Sequence, residues 1–363
     1  MFGMSYTEFN NNYTEIPYYQ EMPAHVPVQD PGVERPVRRK KKKKHLFLKF
    51  ILILLLVIIL IAGGLFLYLL HLVSKMNVGN KDGHTVVYIS DDYPIQEVEQ
   101  KDPKVRNILI FGVDARGPED YADCRSDAMI IMTIDKRNHV IKLTSLMRDT
   151  GVDIYGNGHL DKLTHAYRYG GVGLLMDTIN RNFDMDIDEF FMFDFQSAAN
   201  LVDIAGGVTI NVDPSEVSYA NNSINEQNAV YGSSAPLISE GGEQTLSGVQ
   251  AISWARIRKL DSDFVRTSRQ RTLITALITK VNEMNVFKKF SFFQDSVGCF
   301  ETNIESMDMI WLAISVIMNS GSDEGMGDYR VPEDGLYRVQ DNPWMMIVDM
   351  EEQRARLHDY IWG

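Results

Sequence analysis

A chain of 363 residues, 45% of them hydrophobic, has material for one large domain or two of ordinary size. Its 36 Lys+Arg face 49 Asp+Glu; the first 49 residues hold nine of the basic and five of the acidic ones, so the remainder carries 27 against 44, a net of −17. A nucleic-acid-binding domain is normally basic, so no nucleic-acid partner is expected.

Residues 1–45 are rich in Tyr, Asn, Pro and Glu without an apolar period, which predicts a disordered tail that turns basic from Arg38 to Lys44. "FILILLLVIILIAGGLFLYLLHLV", Phe50 to Val73, follows with no Asp, Glu, Lys or Arg. At about 1.5 Å per residue it is long enough to cross a bilayer, so a transmembrane helix is expected over 46–73. A cleaved signal peptide fits less well, because the run is long and no small-x-small site precedes Lys75. The basic flank predicts a cytoplasmic N-terminus, hence a cell-membrane protein with one pass and everything beyond it outside. Residues 74–104 read as a linker, 105–320 as an extracellular folded domain, and 321–363 as an extension packed on it.

Within the domain, "NILIFGVD" (107–114), "DAMIIMTID" (127–135) and "HVIKLTSLM" (139–147) read as strands, the last two joined by a turn at 136–138. Gly170–Phe183 has helical spacing, "DEFFMFDF" is strand-like, and "FQSAANLVDIAGG" is a helix closed by Gly206 and Gly207. "VTINV" is a short strand, and 213–240 is expected to be a polar surface excursion. Helices are predicted over Leu246–Arg256, over Thr267–Met284 behind a Thr/Ser cap, and in "IESMDMIWLAISVIMNS". Strands alternating with helices predict an α/β fold, a mixed central sheet flanked by helices. Trp311, Trp344 and Trp362 are expected to serve packing rather than sugar contact. Cys124 and Cys299 lie in no CxxC motif, so a disulfide and two buried thiols both stay open.

Charged residues gather at predicted strand ends: Asp114 in "GVDARG", Arg125 and Asp127 in "CRSDAM", Arg148 and Asp149 in "SLMRDT". "RIRKLDSDFVRTSRQR" adds Arg256, Arg258, Asp263, Arg266, Arg269, Gln270 and Arg271. Ligands of open α/β sheets bind beyond the carboxyl ends of strands. Guanidinium forks match phosphate oxygens, and Mg²⁺ takes one or two carboxylates plus phosphate. The set therefore suits a diphosphate with a divalent cation, although plain salt bridges would use the same residues. On helical spacing Arg266 and Arg269 are neighbours, Gln270 can turn inward with Arg266, and Arg271 is expected in solvent. His165 is expected to be structural.

The ordered series "NILIFGVDAR", "RSDAMII", "SLMRDT", "DKLTHAYRYGG", "LVDIAGGVTINV", "LSGVQAISWARIR" and "DFVRTSRQR" resembles the LytR-CpsA-Psr family over about residues 105–285. Met147 replaces a frequent Pro, and Lys162-Leu163-Thr164 replaces Lys-Ile-Asn, so a role for that Asn does not carry over. The resemblance implies an αβα sandwich and an Mg-dependent transfer of a glycopolymer from a polyprenyl diphosphate lipid to peptidoglycan. By motif it implies Asp114 and Asp127 as ligands of Mg²⁺ or Mn²⁺. Arg125, Arg148, Arg256, Arg258 and Gln270 become diphosphate contacts, and Arg148, Arg258, Asp263 and Arg266 the catalytic set; within it we assign Asp263 as the general base. A lipid tail needs an apolar tunnel. Leu174, Leu175, Ile179, Phe183, Phe190, Phe195, Ala198 and Leu201 are candidates, and most serve equally as ordinary core. Hydrolysis of the lipid diphosphate by water would use the same site. A regulatory protein is the other rival, although the short tail leaves little to contact DNA.

Overall fold

The computed structural model describes residues 43–73, 90–115, 120–258, 260, 262–319 and 327–363. The tail expected to be disordered lies outside the described residues up to residue 42, as does most of the linker; residues 43–45 are helical. Helix α1 runs Lys43–Val73, and its stretch Ile51–Tyr68, of mean hydropathy 3.1, is long and apolar enough to cross a membrane. The chain divides into two units, Met1–Ile58 and Ile59–Gly363; the fold below belongs to the second.

Strands β1 (Val105–Val113), β2 (Ser126–Asp135) and β3 (Val140–Leu146) form an antiparallel meander. Its second turn is held by Asp135, whose carboxylate accepts from the backbone N–H of Arg137 at 2.9 Å and from Asn138 Nδ2 at 2.8 Å. A short ribbon of β4 (Gly151–Asp153) and β5 (Leu160–Lys162) leads into α2 (His165–Phe183). Inside α2 the backbone breaks at Gly170 and Gly171; Gly171 has φ 67°, a conformation costly for residues with a Cβ. β6 (Glu189–Phe193) runs parallel to β1, and Asp194 caps α3 (Phe195–Ile204).

A second core follows, built from α3, the ribbon β7 (Val208–Val212) with β8 (Gly242–Leu246), α4 (Val217–Tyr231), α5 (Gly248–Ala255) and α6 (Asp263–Asn282). The expected excursion at 213–240 is thus in large part helix α4. Its buried Ala220, Ile224 and Gln227 form a narrow inner stripe, easily lost among Asn and Ser. α6 begins four residues before the predicted start, behind Ser262.

The chain closes with α7 (Val286–Ser296), β9 (Glu301–Thr302), α8 (Ser306–Asn319), β10 (Gly327–Val331), the ribbon β11 (Tyr337–Asp341) with β12 (Trp344–Val348), and α9 (Met350–Trp362). The central sheet has the order β10-β3-β2-β1-β6-β9, with β10 parallel to β3 and β9 antiparallel to β6. The 321–363 stretch therefore supplies an edge strand, and Leu357 and Ile361 of α9 are fully buried in the core beneath α2. Period-two alternation splits β1: Leu109, Phe111 and Val113 join that core, while Ile108 and Ile110 pack on the opposite face with α8. The fold is the mixed α/β sandwich expected. Cys124 and Cys299 are free, buried thiols. Trp362 packs against the core, but Trp311 and Trp344 are exposed, unlike the packing role expected for them.

Candidate active site

The meander explains why distant motifs meet. β2 is antiparallel to β1 and β3, so its first residues lie beside their last ones: Val113 pairs with Ser126, and Met129 with Leu146. Asp114, Arg125, Asp127 and Arg148 therefore share one edge. Thr164 ties the β2 end in place, its hydroxyl donating to the Ser126 carbonyl at 2.9 Å. That threonine stands where the resemblance led one to look for Asn.

Asp127 is the hub. Its Oδ1 accepts from Arg148 Nη1 at 2.9 Å and its Oδ2 from Arg258 Nη2 at 2.8 Å. Its backbone carbonyl accepts from Arg266 Nη2 at 3.1 Å. Burial works to raise the Asp127 carboxyl, but Arg258 and then Arg148 outweigh it and hold it below the ordinary carboxylate range. Arg266, only 1% exposed, also grips Asp263, with Nη1 to Oδ1 at 2.8 Å and Nη2 to Oδ2 at 3.1 Å. Burial pushes its guanidinium down to about 10, against the pull of Asp263. Arg148 Nε lies 3.4 Å from Asp149 Oδ2 and 3.6 Å from Asp263 Oδ2, and Asp149 in turn holds Lys162 Nζ at 2.7 Å. Carboxylates and guanidinia alternate through this network, with no like charges as direct partners.

In front of it lies a cleft of about 350 Å³ lined by Asp114, Asp123, Cys124, Arg125, Asp127, Arg148, Arg168 and Arg258. Burial, then the surrounding aspartates, push the Cys124 thiol up to about 11, so it stays protonated. A second polar cleft of about 240 Å³ shares Asp114 and Arg258 and adds Arg256 with Tyr219, Asn222, Ser223 and Glu226 of α4. Among the described residues, Arg125, Arg256 and Asp114 have no ion-pair partner. Arg256 instead lies 3.7 Å over the Phe195 ring. Asp263, Arg266 and Gln270 line neither polar cleft.

Behind Arg256 opens an apolar cavity of about 290 Å³, walled by Ile110, Ala128, Ile130 and Met132 of the sheet and by residues of α3, α5 and α6. Its polar lining is Asp194, Arg256 and Gln270. Gln270 Oε1 is buried there without a hydrogen-bond partner among the described residues. Of the eight tunnel candidates, Phe195, Ala198 and Leu201 line this cavity. Leu174, Leu175, Ile179, Phe183 and Phe190 are sealed in the core under α2, on the other side of the sheet.

The remaining arginines are structural. Arg269 Nε donates to Glu216 Oε1 at 2.6 Å, and Glu216 also accepts from Trp254 Nε1 at 2.6 Å. Arg271 was expected in solvent and is buried; it donates to Ser145 Oγ at 2.6 Å and pairs with Asp328. The β10 strand that covers it comes from the far end of the chain, beyond any local pattern. His165 is structural as expected, with Nδ1 at 2.8 Å from Asp161 Oδ1. Sequence reasoning missed Asp123 and Arg168. Arg168 sits inside the quoted "DKLTHAYRYGG", three residues after His165, a motif that could have pointed to it.

The carboxylates fit a cation that arrives with a phosphate. No group of three or more His, Cys, Asp or Glu that would cage a metal occurs among the described residues. Asp114 and Asp127 line one cleft, and Mg²⁺ needs only one or two carboxylates when phosphate and water complete its shell.

The chain is similar to the polyisoprenyl-teichoic acid–peptidoglycan teichoic acid transferase TagU of Bacillus licheniformis, with 30% identity over 220 residues. That match covers 59% of this chain and 64% of the relative, just under two thirds of its length. Among solved structures, TagT bound to LIIa-WTA superposes with a TM-score of 0.58 at 23% identity, over 74% of this chain and 97% of that one. The family protein YwtF (TagT) with bound octaprenyl pyrophosphate lipid gives 0.55 at 21%, over 76% and 100%. At such identities these superpositions establish the shared fold. The sequence profile of the LytR_cpsA_psr family matches residues 72–357, so the chain belongs to that family.

Proposed function

We propose that the protein is a membrane-anchored transferase that moves a glycopolymer from a polyprenyl diphosphate lipid to peptidoglycan. One observation carries this reading: Arg256 lines both the apolar cavity and the polar cleft that it shares with Asp114 and Arg258. A ligand with an apolar tail and a diphosphate head fits that continuity; a free nucleotide would leave the cavity unused. The proteins named above, one a teichoic acid transferase and one holding a prenyl pyrophosphate, support it. The α1 span would tether the enzyme to the plane that holds its donor, which raises the local encounter concentration. Nine Lys/Arg at or before Lys49 argue for a cytoplasmic N-terminus and an external catalytic domain.

In this reading the acceptor hydroxyl oxygen bonds to the glycan-side phosphorus. The bond from that phosphorus to the bridging oxygen breaks, and polyprenyl phosphate leaves with the electron pair. Arg125 and Arg256, which meet no carboxylate among the described residues, receive the incoming diphosphate. Arg258 and Arg148 exchange Asp127 for phosphate oxygens and bear on the charge that grows there. Asp263 accepts the hydroxyl proton, and its contacts with Arg266 hold the carboxylate in place. Asp114 and Asp127 would hold Mg²⁺ or Mn²⁺, which would add Lewis-acid charge at the diphosphate.

The test uses full-length protein in sealed right-side-out vesicles, with labelled lipid-linked glycan and added peptidoglycan. Label should move to peptidoglycan, stop moving with chelator, and resume with Mg²⁺ or Mn²⁺. Label released into solution would make water the acceptor and overturn the transferase reading. Undiminished transfer in chelator would remove the cation.

A further inference from the structure

We infer that the corner between α6 and α7 inserts into the surface of an anionic lipid bilayer, giving the domain a membrane contact separate from α1. Val286 and Phe287 begin α7 and are 79% and 86% exposed. Among the described residues outside α1, no large apolar side chain is more exposed. The corner is well built: the Asn285 side chain caps the helix, accepting from the Lys288 N–H at 3.0 Å. The other side of α7 is anchored, with Phe293 packed against the core of the α8 face. An apolar pair held out by a capped helix turn costs solvation in water and gains it on entering lipid.

Charge points to the same partner. Lys280, Lys288 and Lys289 surround the corner, with Glu283 the single carboxylate from 280 to 289. A chain that is net −17 beyond residue 49 thus places a net +2 around its most exposed apolar tip. Lysines beside an apolar tip suit anionic headgroups, which their stems reach while the tip enters the acyl boundary.

Two further observations agree with this partner. The ring of Tyr68, on α1 five residues before its end at Val73, lies 5.9 Å from that of Phe290 on α7; both belong to the unit Ile59–Gly363. Leu277 and Ile278, near the end of α6, line the apolar cavity. Insertion would bring that end of the cavity toward the acyl chains. This last consequence rests on the proposed prenyl donor; the insertion itself does not.

The experiment is spectroscopic and independent of catalysis. A nitroxide is attached to Phe287→Cys in the full-length protein, reconstituted in phosphatidylglycerol/phosphatidylcholine vesicles, with labelled Val339→Cys on β11 as the aqueous control. Cys124 and Cys299 are buried, and label-treated wild type corrects for them. At 287 collisions with oxygen should exceed those with a water-soluble nickel chelate, the reverse of the control. Pure phosphatidylcholine should reduce the difference. Equal behaviour at the two sites would overturn the inference. So would a label at 287 shielded from both reagents, which would mean that protein covers the corner. Neither outcome bears on whether glycan is transferred.

Discussion

The two faces of the central sheet are made by the same strands and differ in what covers them. Over Leu109, Phe111 and Met129, α2 and α9 close a core in which Leu175, Ile179, Phe183 and Phe190 have no exposed surface. Over Ile110, Ala128, Ile130 and Met132 the cover is α3, α5 and α6, and a cavity of about 290 Å³ remains. Gly112 and Ala128, opposite one another on β1 and β2, leave room at its mouth beside the charged edge. Both faces read as equally apolar in sequence. What separates them is fit: helix α2 fills its face with large side chains, while α3, α5 and α6 leave a gap between them on the other.

Truncation should break this symmetry most visibly. Leu175→Ala on the closed face opens a void that the packed surroundings cannot fill, costing about 2–5 kcal/mol in urea unfolding. Leu277→Ala on the hollow face should cost no more than about half of that, because a void is already there. Equal losses would mean that the cavity is closed in solution.

The charged edge is tested by Arg258→Lys. Arg258 is exposed and meets a single carboxylate, so the change leaves no cavity and the melting temperature should hold. A lost two-point contact on the breaking phosphate should lower kcat about 10²–10³-fold, or roughly 2.7–4 kcal/mol. Wild-type turnover, or unfolding in step with lost activity, would make Arg258 a plain salt-bridge residue.

Filling the cavity sharpens the contrast further. Ala198→Phe should raise KM for a long-tailed donor by about tenfold or more, the scale set by one or two misplaced apolar groups, about 1–3 kcal/mol. A donor with a short prenyl tail should be used as before, and stability should not fall. If both donors suffer alike, the tail lies elsewhere.

The smallest effect is the pH dependence of Asp127. Its carboxyl is held below its unfolded value, so its contribution is present above about pH 3.9 and is lost as pH falls through the lower folded value. The stability gap between wild type and Asp127→Asn should therefore shrink from pH 6 towards pH 3. Solvent screening at the partly exposed edge should keep the change under about 1 kcal/mol. A gap that widens on acidification would contradict the assigned direction.

Much of this was legible from local pattern. The strands at 107–114, 127–135 and 139–147 were readable because alternation and apolar runs are properties of neighbouring residues. The meander then brings Asp114, Asp127 and Arg148 together, since antiparallel pairing of consecutive strands nearly dictates which ends meet. The family resemblance rested on the same short motifs. Helix α4 was not legible, because three buried positions among Asn and Ser carry too little periodicity. Arg271 went wrong because its partner Asp328 lies more than fifty residues away, on a strand whose place at the sheet edge no local pattern announces. Residue chemistry alone marked the charged side chains worth watching; whether an apolar one such as Leu175 or Leu201 fills a core or walls a cavity depends on the far side of the contact, which only the assembled fold supplies.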